Sequence, residues 1–294
     1  MFVNAIETAA GFTRPVHSIK RNYGSTTIQP GAATIFFVNS DGWALTCGHV
    51  AKLFLAQNEL EAKWQAFRDE LTARRDDKKG RRLRRELERK YEYSKKVTSE
   101  LYNRIMYSIE GPSNADIKFH SKQDAALIHF TKFTRLLCDS FPVFAENGSD
   151  LKPGKFLCRV GYPFVEFSNF GYDSTADKIQ WTTTGRMVTP LFSIEGMVTR
   201  LVAGDAGQTV GFELSTPGLG GQSGGPAFDT AGRIWGMQAQ TAHLDLNFDV
   251  SQEVLRDGEK KVINNTPFLH VGRCIHVDVL KSFMTEHRVQ FKEG

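Results

Sequence analysis

Residues 220–226 carry the sequence Gly220-Gly-Gln-Ser223-Gly-Gly-Pro226 and stand between two strand-like stretches, 210–214 and 233–240. Acyl transfer by a serine needs a hydroxyl beside backbone N–H groups that can receive a developing oxyanion. Glycines around the serine let the backbone turn sharply and admit a substrate, because they carry no side chain. The segment therefore predicts a nucleophile at Ser223. The alternative is a glycine-rich turn that contains a serine incidentally.

A serine hydroxyl is a weak nucleophile and needs a general base within hydrogen-bond reach. Among the eight histidines, His49 has the most distinctive setting, at the end of Trp43-Ala-Leu-Thr-Cys-Gly-His49. The base needs a carboxylate that fixes its tautomer. Asp124 directly precedes the apolar stretch 125–130, and Asp116 is the competing candidate. We predict His49 as the base and Asp124, ahead of Asp116, as its partner.

Short strand-like stretches, separated by turn residues, make up most of the chain outside residues 50–109. The clearest are residues 34–38, 43–46, 125–130, 156–160, 178–183, 197–203, 210–214 and 233–240. Many short strands at such spacing predict barrels or sandwiches. We expect an N-terminal β domain over residues 1–130 that carries His49 and Asp124. A linker over 131–150 and a C-terminal β domain over 151–294 that carries Ser223 would follow.

These motifs resemble those of the chymotrypsin-fold (trypsin-like) serine endopeptidases, and within them the bacterial Deg/Htr-type branch. The matching segments are Thr46-Cys-Gly-His49, Asp124-Ala-Ala-Leu-Ile128 and Gly221-Gln-Ser223-Gly-Gly-Pro226. The resemblance implies a mainly β fold of two antiparallel β-barrels with the active site in the cleft between them. It also implies that Ser223 is the nucleophile, His49 the general base and then acid, and Asp124 its orienting partner. The N–H groups of Gly221 and Ser223 would form the oxyanion hole, and no metal or organic cofactor is expected.

Two departures from the family pattern concern location and regulation. Val50 stands where secreted members place a disulfide cysteine, and Gln222 stands where many zymogens have an activating aspartate. The amino terminus lacks the basic region and apolar core of a signal peptide, and no apolar run approaches the ~20 residues that cross a bilayer. We therefore expect a cytoplasmic enzyme that is not activated by a new amino terminus. We also expect it to lack the PDZ domain common in Deg/Htr-type relatives.

The expected substrate pocket differs from that of trypsin-like members that cleave after Arg or Lys. Those enzymes have a carboxylate six positions before the serine, whereas this chain has Pro217 there and no acidic residue between Leu214 and Ser223. The residues expected to edge the pocket are Gln238, Ala239, Gln240 and Thr241. We therefore expect that cleavage after Arg or Lys is disfavoured.

Residues 51–110 differ in kind from the rest of the chain and predict a long helical hairpin inserted in the first barrel. Leu60, Trp64, Phe67 and Leu71, which we call the apolar stripe, repeat at helical spacing. Later apolar residues, up to Ile105, predict a second helix after a turn at residues 76–80. We expect two antiparallel helices of about 25 residues each.

The charge of the chain is concentrated in this hairpin. Twelve basic and five acidic residues lie between Arg74 and Lys96, a net +7, although the whole chain carries only +4. Three interpretations stay open: an arm that docks another protein or a second copy, a polyanion or nucleic-acid site, and a solvated face over two helices packed together. Two function classes also stay open: an active peptidase, and a catalytically silent binding or regulatory module on the same fold. No membrane partner is expected.

Overall fold

The computed structural model of the chain describes residues 1–74, 80–111, 113–256 and 258–294. The helices of this part are α1 (Val3–Phe12), α2 (Gly48–Ala73), α3 (Gly80–Lys90) and α4 (Val277–Glu286), with a single 3₁₀ turn at Gly148–Asp150. In the described ranges, none of these helices has the length and apolar character that crossing a membrane requires.

The first sheet has six strands, each antiparallel to its neighbours, in the order β4-β1-β2-β3-β7-β6. Its strands are β1 (Thr13–Asn22), β2 (Ile28–Phe37), β3 (Trp43–Thr46), β4 (Thr98–Ile105), β6 (Asn114–Phe119) and β7 (Ala126–Thr131). Two further short strands, β5 (Ile109–Glu110) and β8 (Arg135–Leu136), pair with each other beside it. This sheet curls into a half-barrel.

The second sheet closes into a barrel because β15 pairs with both β10 and β16. Around the barrel the order is β15-β10-β13-β14-β19-β16, and every pair is antiparallel. Its strands are β10 (Phe156–Gly161), β13 (Phe192–Ala203), β14 (Thr209–Leu214), β15 (Pro226–Phe228), β16 (Arg233–Asp245) and β19 (Phe268–His276). Two short parallel strands extend this sheet beyond β16, β9 (Val143–Phe144) and β20 (Lys292–Glu293). Two separate hairpins are β11 (Phe170–Asp173) with β12 (Lys178–Trp181), and β17 (Val250–Arg256) with β18 (Glu259–Asn265).

One apolar core joins the two sheets. Phe36, Leu45 and Leu127 of the first sheet belong to the same buried cluster as Val160 and Phe228 of the second. Burial of this shared apolar surface holds the sheets against each other, since proteins pack such interiors at crystal-like density. The prediction of a mainly β, two-barrel fold with an inserted helical hairpin is therefore confirmed.

The second helix of the hairpin is much shorter than the sequence predicted, and this prediction was wrong. Helix α3 ends at Lys90, and Glu92 then takes a left-handed conformation with φ +55°. Residues 98–105, which we expected to be helical, form β4 and pair with β1. Their apolar spacing suits a helix, but pairing with the edge of β1 satisfies the backbone of both strands. The predicted turn at 76–80 lies outside the described residues except for Gly80.

The apolar stripe is largely covered within the chain itself. Trp64 and Phe67 of α2 are buried against Leu83 and Leu87 of α3, and Tyr23 and Tyr93 complete the cluster. This burial supports the interpretation in which the stripe packs the two helices together. It leaves the charged outer face of the hairpin as the surface open to a partner.

The predicted linker over residues 131–150 takes part in both halves of the molecule. Its strand β8 pairs with β5, and β9 adds parallel to β16 of the closed barrel. The domain boundaries stay a prediction.

Candidate active site

His49 and Asp124 lie close together because β3 ends beside the point where the neighbouring strand β7 begins. The last residue of β3, Thr46, pairs with Ala126 at the start of β7, so the flanking residues are neighbours. Nδ1 of His49 lies 2.6 Å from one carboxylate oxygen of Asp124, and the other oxygen accepts the His49 amide at 2.9 Å. A Cβ at Gly48 would lie only 2.9 Å from the same carboxylate, which explains the glycine before the histidine.

The electrostatics of this pair favour an ionised aspartate. Burial alone would raise the pKa of the Asp124 carboxyl, but hydrogen bonds from the ring and amide of His49 outweigh burial and lower that pKa. An ionised carboxylate only accepts hydrogen bonds, so Nδ1 of His49 carries a proton and Nε2 of the neutral ring can accept another. The competing candidate, Asp116, pairs instead with Lys118 at 2.9 Å, and its side chain is 61% exposed.

Ser223 lies on a loop, residues 215–225, that connects β14 to β15 and that we call the serine loop. Its carbonyl accepts the amide of Thr34 on β2 at 3.1 Å. The next residue, Gly224, donates its amide to the carbonyl of Gln238 on β16 at 2.8 Å. The serine loop is therefore held between the first sheet and the closed barrel.

The hydroxyl of Ser223 is hydrogen-bonded to a backbone carbonyl in this structure and not to His49. It donates to the carbonyl of Ala239 at 3.2 Å, and within the described ranges no hydrogen bond joins it to the His49 ring. The structure thus brings His49 and Asp124 together but leaves the third predicted contact unmade. Catalytic hydrogen bonds are often long in enzymes without substrate and tighten in the substrate complex.

Two glycines of the serine loop are required by its geometry. Gly221 has φ +95°, and a Cβ there would lie 2.5 Å from the carbonyl oxygen of Tyr162. Gly224 has φ +88°, and its Cβ would lie 2.1 Å from the carbonyl oxygen of Thr34. Among the described residues, the amides of Gly221 and Ser223 have no protein acceptor. Two nearby unpaired N–H groups are what a developing oxyanion needs.

Two of the residues expected around the substrate pocket, Pro217 and Gln238, bond to Arg159 of β10, which the sequence analysis missed. The carbonyl of Pro217 accepts from Arg159 at 3.1 Å, and the side-chain oxygen of Gln238 accepts from the same guanidinium. The Gln238 amide group donates to the carbonyl of Gln240 at 2.8 Å, and Thr241 donates to the carbonyl of Gly218. A charged residue inside the apolar stretch Phe156-Leu-Cys-Arg159-Val160 was the available signal.

Cys47 lies beside the histidine and the aspartate. Its sulfur and the ligand atoms of His49 and Asp124 lie within 4.8 Å of one another, a spacing that would suit a metal ion. The thiol donates to the carbonyl of Gln238 at 3.3 Å, and burial, the largest cause, raises its pKa well above the ordinary value. Because metals bind the thiolate, a buried protonated thiol is a poor ligand. The cluster fits a histidine–carboxylate pair better than a metal centre.

Comparison with known proteins identifies a family. A family model described as "Trypsin-like peptidase domain" matches residues 33–237, a range that includes His49, Asp124 and Ser223. No curated protein matches the chain. The solved structure titled "HtrA-type protease AlgWS227A with tripeptide" is similar, with a TM-score of 0.46 and 10% identity. That match covers 97% of this chain, and the chain spans 63% of the length of that protease. Since the family model matches well over half of its residues, the chain belongs to the family of trypsin-like peptidase domains.

Proposed function

We propose that the chain is an intracellular serine endopeptidase that cleaves peptide bonds through an acyl-enzyme on Ser223. The observation that carries this proposal is the double contact between Asp124 and His49, at 2.6 Å and 2.9 Å. That contact fixes the tautomer in which Nε2 can take a proton, which is the property a serine nucleophile requires of its base.

In the proposed mechanism, substrate binding draws the Ser223 hydroxyl away from the Ala239 carbonyl. The serine oxygen adds to the peptide carbonyl while Nε2 of His49 takes its proton. The resulting oxyanion receives hydrogen bonds from the amides of Gly221 and Ser223. His49 then gives the proton to the leaving amine, and a water repeats both steps to release the acyl group. Asp124 stays ionised throughout and stabilises the imidazolium.

The reaction depends on a serine loop held in place before the substrate arrives. Thr34 binds the loop twice, since its amide donates to the Ser223 carbonyl and its hydroxyl donates to the Gly221 carbonyl at 2.7 Å. The second bond anchors the peptide unit between Gly221 and Gln222, which lies between the two proposed donor amides of Gly221 and Ser223. Donors that are aligned in advance cost no reorganisation during the reaction, and each contributes about 10²–10³ in rate.

An intracellular location accords with the chemistry of the cysteines. In the described part of the chain, Cys47, Cys138, Cys158 and Cys274 are all free thiols. Burial is the largest cause of a raised pKa at each of them, so few of these sulfurs ionise and react at neutral pH. Free thiols of this kind are usual where the compartment is reducing.

We also propose that the helical hairpin, α2 with α3, regulates the site. Helix α2 begins at Gly48, so the active-site histidine lies in the first turn of the same helix whose far end packs against α3. A partner that bound the exposed basic face of α3 could therefore shift His49 through a continuous rigid element. The basic residues that are exposed on α3 are Arg81, Arg82, Arg84, Arg85, Arg89 and Lys90.

The second candidate function is a catalytically silent module that docks a protein or a polyanion through this basic face. The observation in its favour is that the Ser223 hydroxyl is bonded to Ala239 and not to His49. The two candidates make opposite predictions about the reactivity of Ser223.

Labelling with a fluorophosphonate probe tests the proposal directly, because the probe reacts with an activated serine whatever the substrate preference. We expect labelling of the wild type at Ser223, confirmed by mass spectrometry of the modified peptide, and none of Ser223→Ala or His49→Ala. Asp116→Asn is the matched control and should label like the wild type, since the exposed Asp116 carboxylate pairs with Lys118. A wild type that stays unlabelled alone and with anionic or protein partners bound to α3 would favour the silent module.

A further inference from the structure

Arg159 is a fully buried charge in the wall of the closed barrel. It is 0% exposed, and its Nη2 donates to the carbonyl and hydroxyl of Thr216 at 3.1 and 2.7 Å and to the carbonyl of Pro217 at 3.1 Å. Its Nη1 donates to the side chain of Gln238. Each of these acceptors is neutral. In the described part of the chain no carboxylate pairs with Arg159, and its Nε is buried without any acceptor.

A buried guanidinium without a counter-charge is costly, and proteins normally pair it with a carboxylate. Glu213, a buried acid of the same barrel, is bonded to Arg200 and Arg273 instead. The chain nevertheless makes room for the guanidinium, because a Cβ at Gly272 would lie 2.0 Å from Nη1 of Arg159. The arrangement holds a positive charge that no carboxylate among the described residues compensates.

The Arg159 guanidinium is bonded directly to the serine loop, through the carbonyls of Thr216 and Pro217. Gln238, which accepts from Arg159, pairs with the loop twice, since its amide donates to Gly225 and its carbonyl accepts from Gly224, both at 2.8 Å. The residue after it, Ala239, accepts the hydroxyl of Ser223. The acceptor of the guanidinium and the acceptor of the nucleophile are therefore consecutive residues.

Two chain segments that include the residues expected at the substrate pocket lie next to Arg159. Residues 216–218 and 238–241 are tied together by the bond from Thr241 to Gly218, and a Cβ at Gly218 would lie 2.2 Å from the side-chain nitrogen of Gln238. The side chains of Gln238 and Thr241 therefore pack directly against Gly218, which leaves no room for a side chain at that position. The guanidinium bonds to both segments, to Thr216 and Pro217 of the first and to Gln238 of the second.

We propose that Arg159 makes this a pocket for an acidic side chain, so that the peptidase cleaves after Glu or Asp. The inference rests on the proposed function, since it assigns the substrate class of the same site. A substrate carboxylate would supply the counter-charge that Thr216, Pro217 and Gln238 cannot, and charge-assisted hydrogen bonds are about twice as strong as neutral ones. A Lys or Arg side chain would meet a like charge in a buried place.

Binding to the Ser223→Ala variant tests the pocket without requiring catalysis. The probes are fluorescent peptides that are identical except for Glu, Asp, Gln, Ala, Leu or Lys immediately before the scissile bond. We expect the Glu or Asp peptide to bind at least about tenfold more tightly than the Gln peptide, as the loss of a charge-assisted bond implies. Adding Arg159→Gln should abolish that difference. The matched control, Arg273→Gln, removes a charge from the same barrel whose guanidinium already pairs with Glu213, and should keep the difference.

Two results would overturn the inference: equal binding of the acidic and Gln peptides, or tightest binding of the Ala peptide. The second would mean that Arg159 only shortens the pocket. If Arg159→Gln does not fold, the acidic-against-Gln comparison on the otherwise unchanged protein still decides. Fluorophosphonate labelling separates the two proposals. Acidic preference without labelling of the wild type would contradict the proposed function alone, whereas labelling without acidic preference would contradict the role of Arg159 alone.

Discussion

The hydroxyl of Thr34 donates to the carbonyl oxygen of Gly221 at 2.7 Å, so a residue of the first sheet orients the peptide that precedes the candidate nucleophile. The two residues lie 187 positions apart in the chain. Because the same hydroxyl also accepts the amide of Tyr162 at 3.1 Å, one threonine joins both halves of the molecule at the active site.

Thr34→Val keeps the shape of this side chain and removes the hydroxyl. We expect a loss of about 1–3 kcal/mol in the free energy of unfolding, because the buried Tyr162 amide loses its acceptor. We also expect kcat to fall with little change in KM, since the Gly221 peptide loses its anchor. Thr13→Val is the control, because Thr13 is equally buried and its hydroxyl bonds to Ala9 at 2.7 Å, away from the serine loop. Equal kcat losses in the two variants would contradict a positioning role for Thr34.

Gly221→Ala should disable the proposed oxyanion hole. The new Cβ would meet the Tyr162 carbonyl at 2.5 Å in a conformation with φ +95°, so the peptide must move. We expect kcat/KM to fall by about 10²–10³, the usual effect of losing one oxyanion donor. Gly154→Ala is a matched control, because Gly154 also has φ +95° but has open space around its Cβ position. It should lose stability without losing activity. An active Gly221→Ala enzyme would exclude this loop as the oxyanion hole.

Asp124→Asn should leave the fold intact and remove most of the activity. The amide cannot hold the ring as the carboxylate does, so the wrong tautomer of His49 becomes favoured. We expect kcat to fall by about 10³–10⁴. The measurement is peptide hydrolysis together with the rate of fluorophosphonate labelling, and Asp116→Asn should retain wild-type rates. If the two variants were reversed in effect, Asp116 would be the partner of His49.

Glu213 should make stability depend on pH. Hydrogen bonds from Arg200, above all, and from Arg273 lower the pKa of this carboxyl although burial opposes them, and its side chain is only 1% exposed. A carboxyl whose pKa is lower when folded contributes stability above its unfolded pKa of about 4.3, and this is lost as pH falls through the folded pKa.

Urea unfolding at a series of pH values measures this contribution. The difference in unfolding free energy between wild type and Glu213→Gln should be constant near neutral pH and shrink below about pH 4. Glu59→Gln, at an exposed position on α2, should show a difference near zero throughout. A Glu213→Gln difference that stayed constant down to pH 2 would contradict the lowered pKa.

Several features of the site were visible in the sequence because each depends on local chemistry. The glycines around Ser223 are needed by the turn itself, and positive φ values at Gly221 and Gly224 bear this out. His49 and Asp124 stand at the ends of strand-like stretches, where neighbouring strands bring their flanking residues together. The mainly β class followed from the short strands for the same reason.

Other features depend on partners far away in the chain. Residues 98–105 have apolar spacing that suits a helix, and only the open edge of β1 makes them a strand. Arg159 looked like part of a buried strand, and only the tertiary structure shows its hydrogen bonds to Thr216 and Gln238, which lie 57 and 79 positions away.

By itself, the sequence determined the class of fold and the residue types available for catalysis, because turns, strands and glycine conformations are set by neighbouring residues. Only the tertiary structure decided that Ser223 bonds to Ala239, that Thr34 bonds to Gly221, and that the Arg159 guanidinium bonds to neutral acceptors on the serine loop and on β16. These relations join residues on strands from distant parts of the chain. They exist because burial of a shared core holds the two sheets together, and local sequence does not encode that contact.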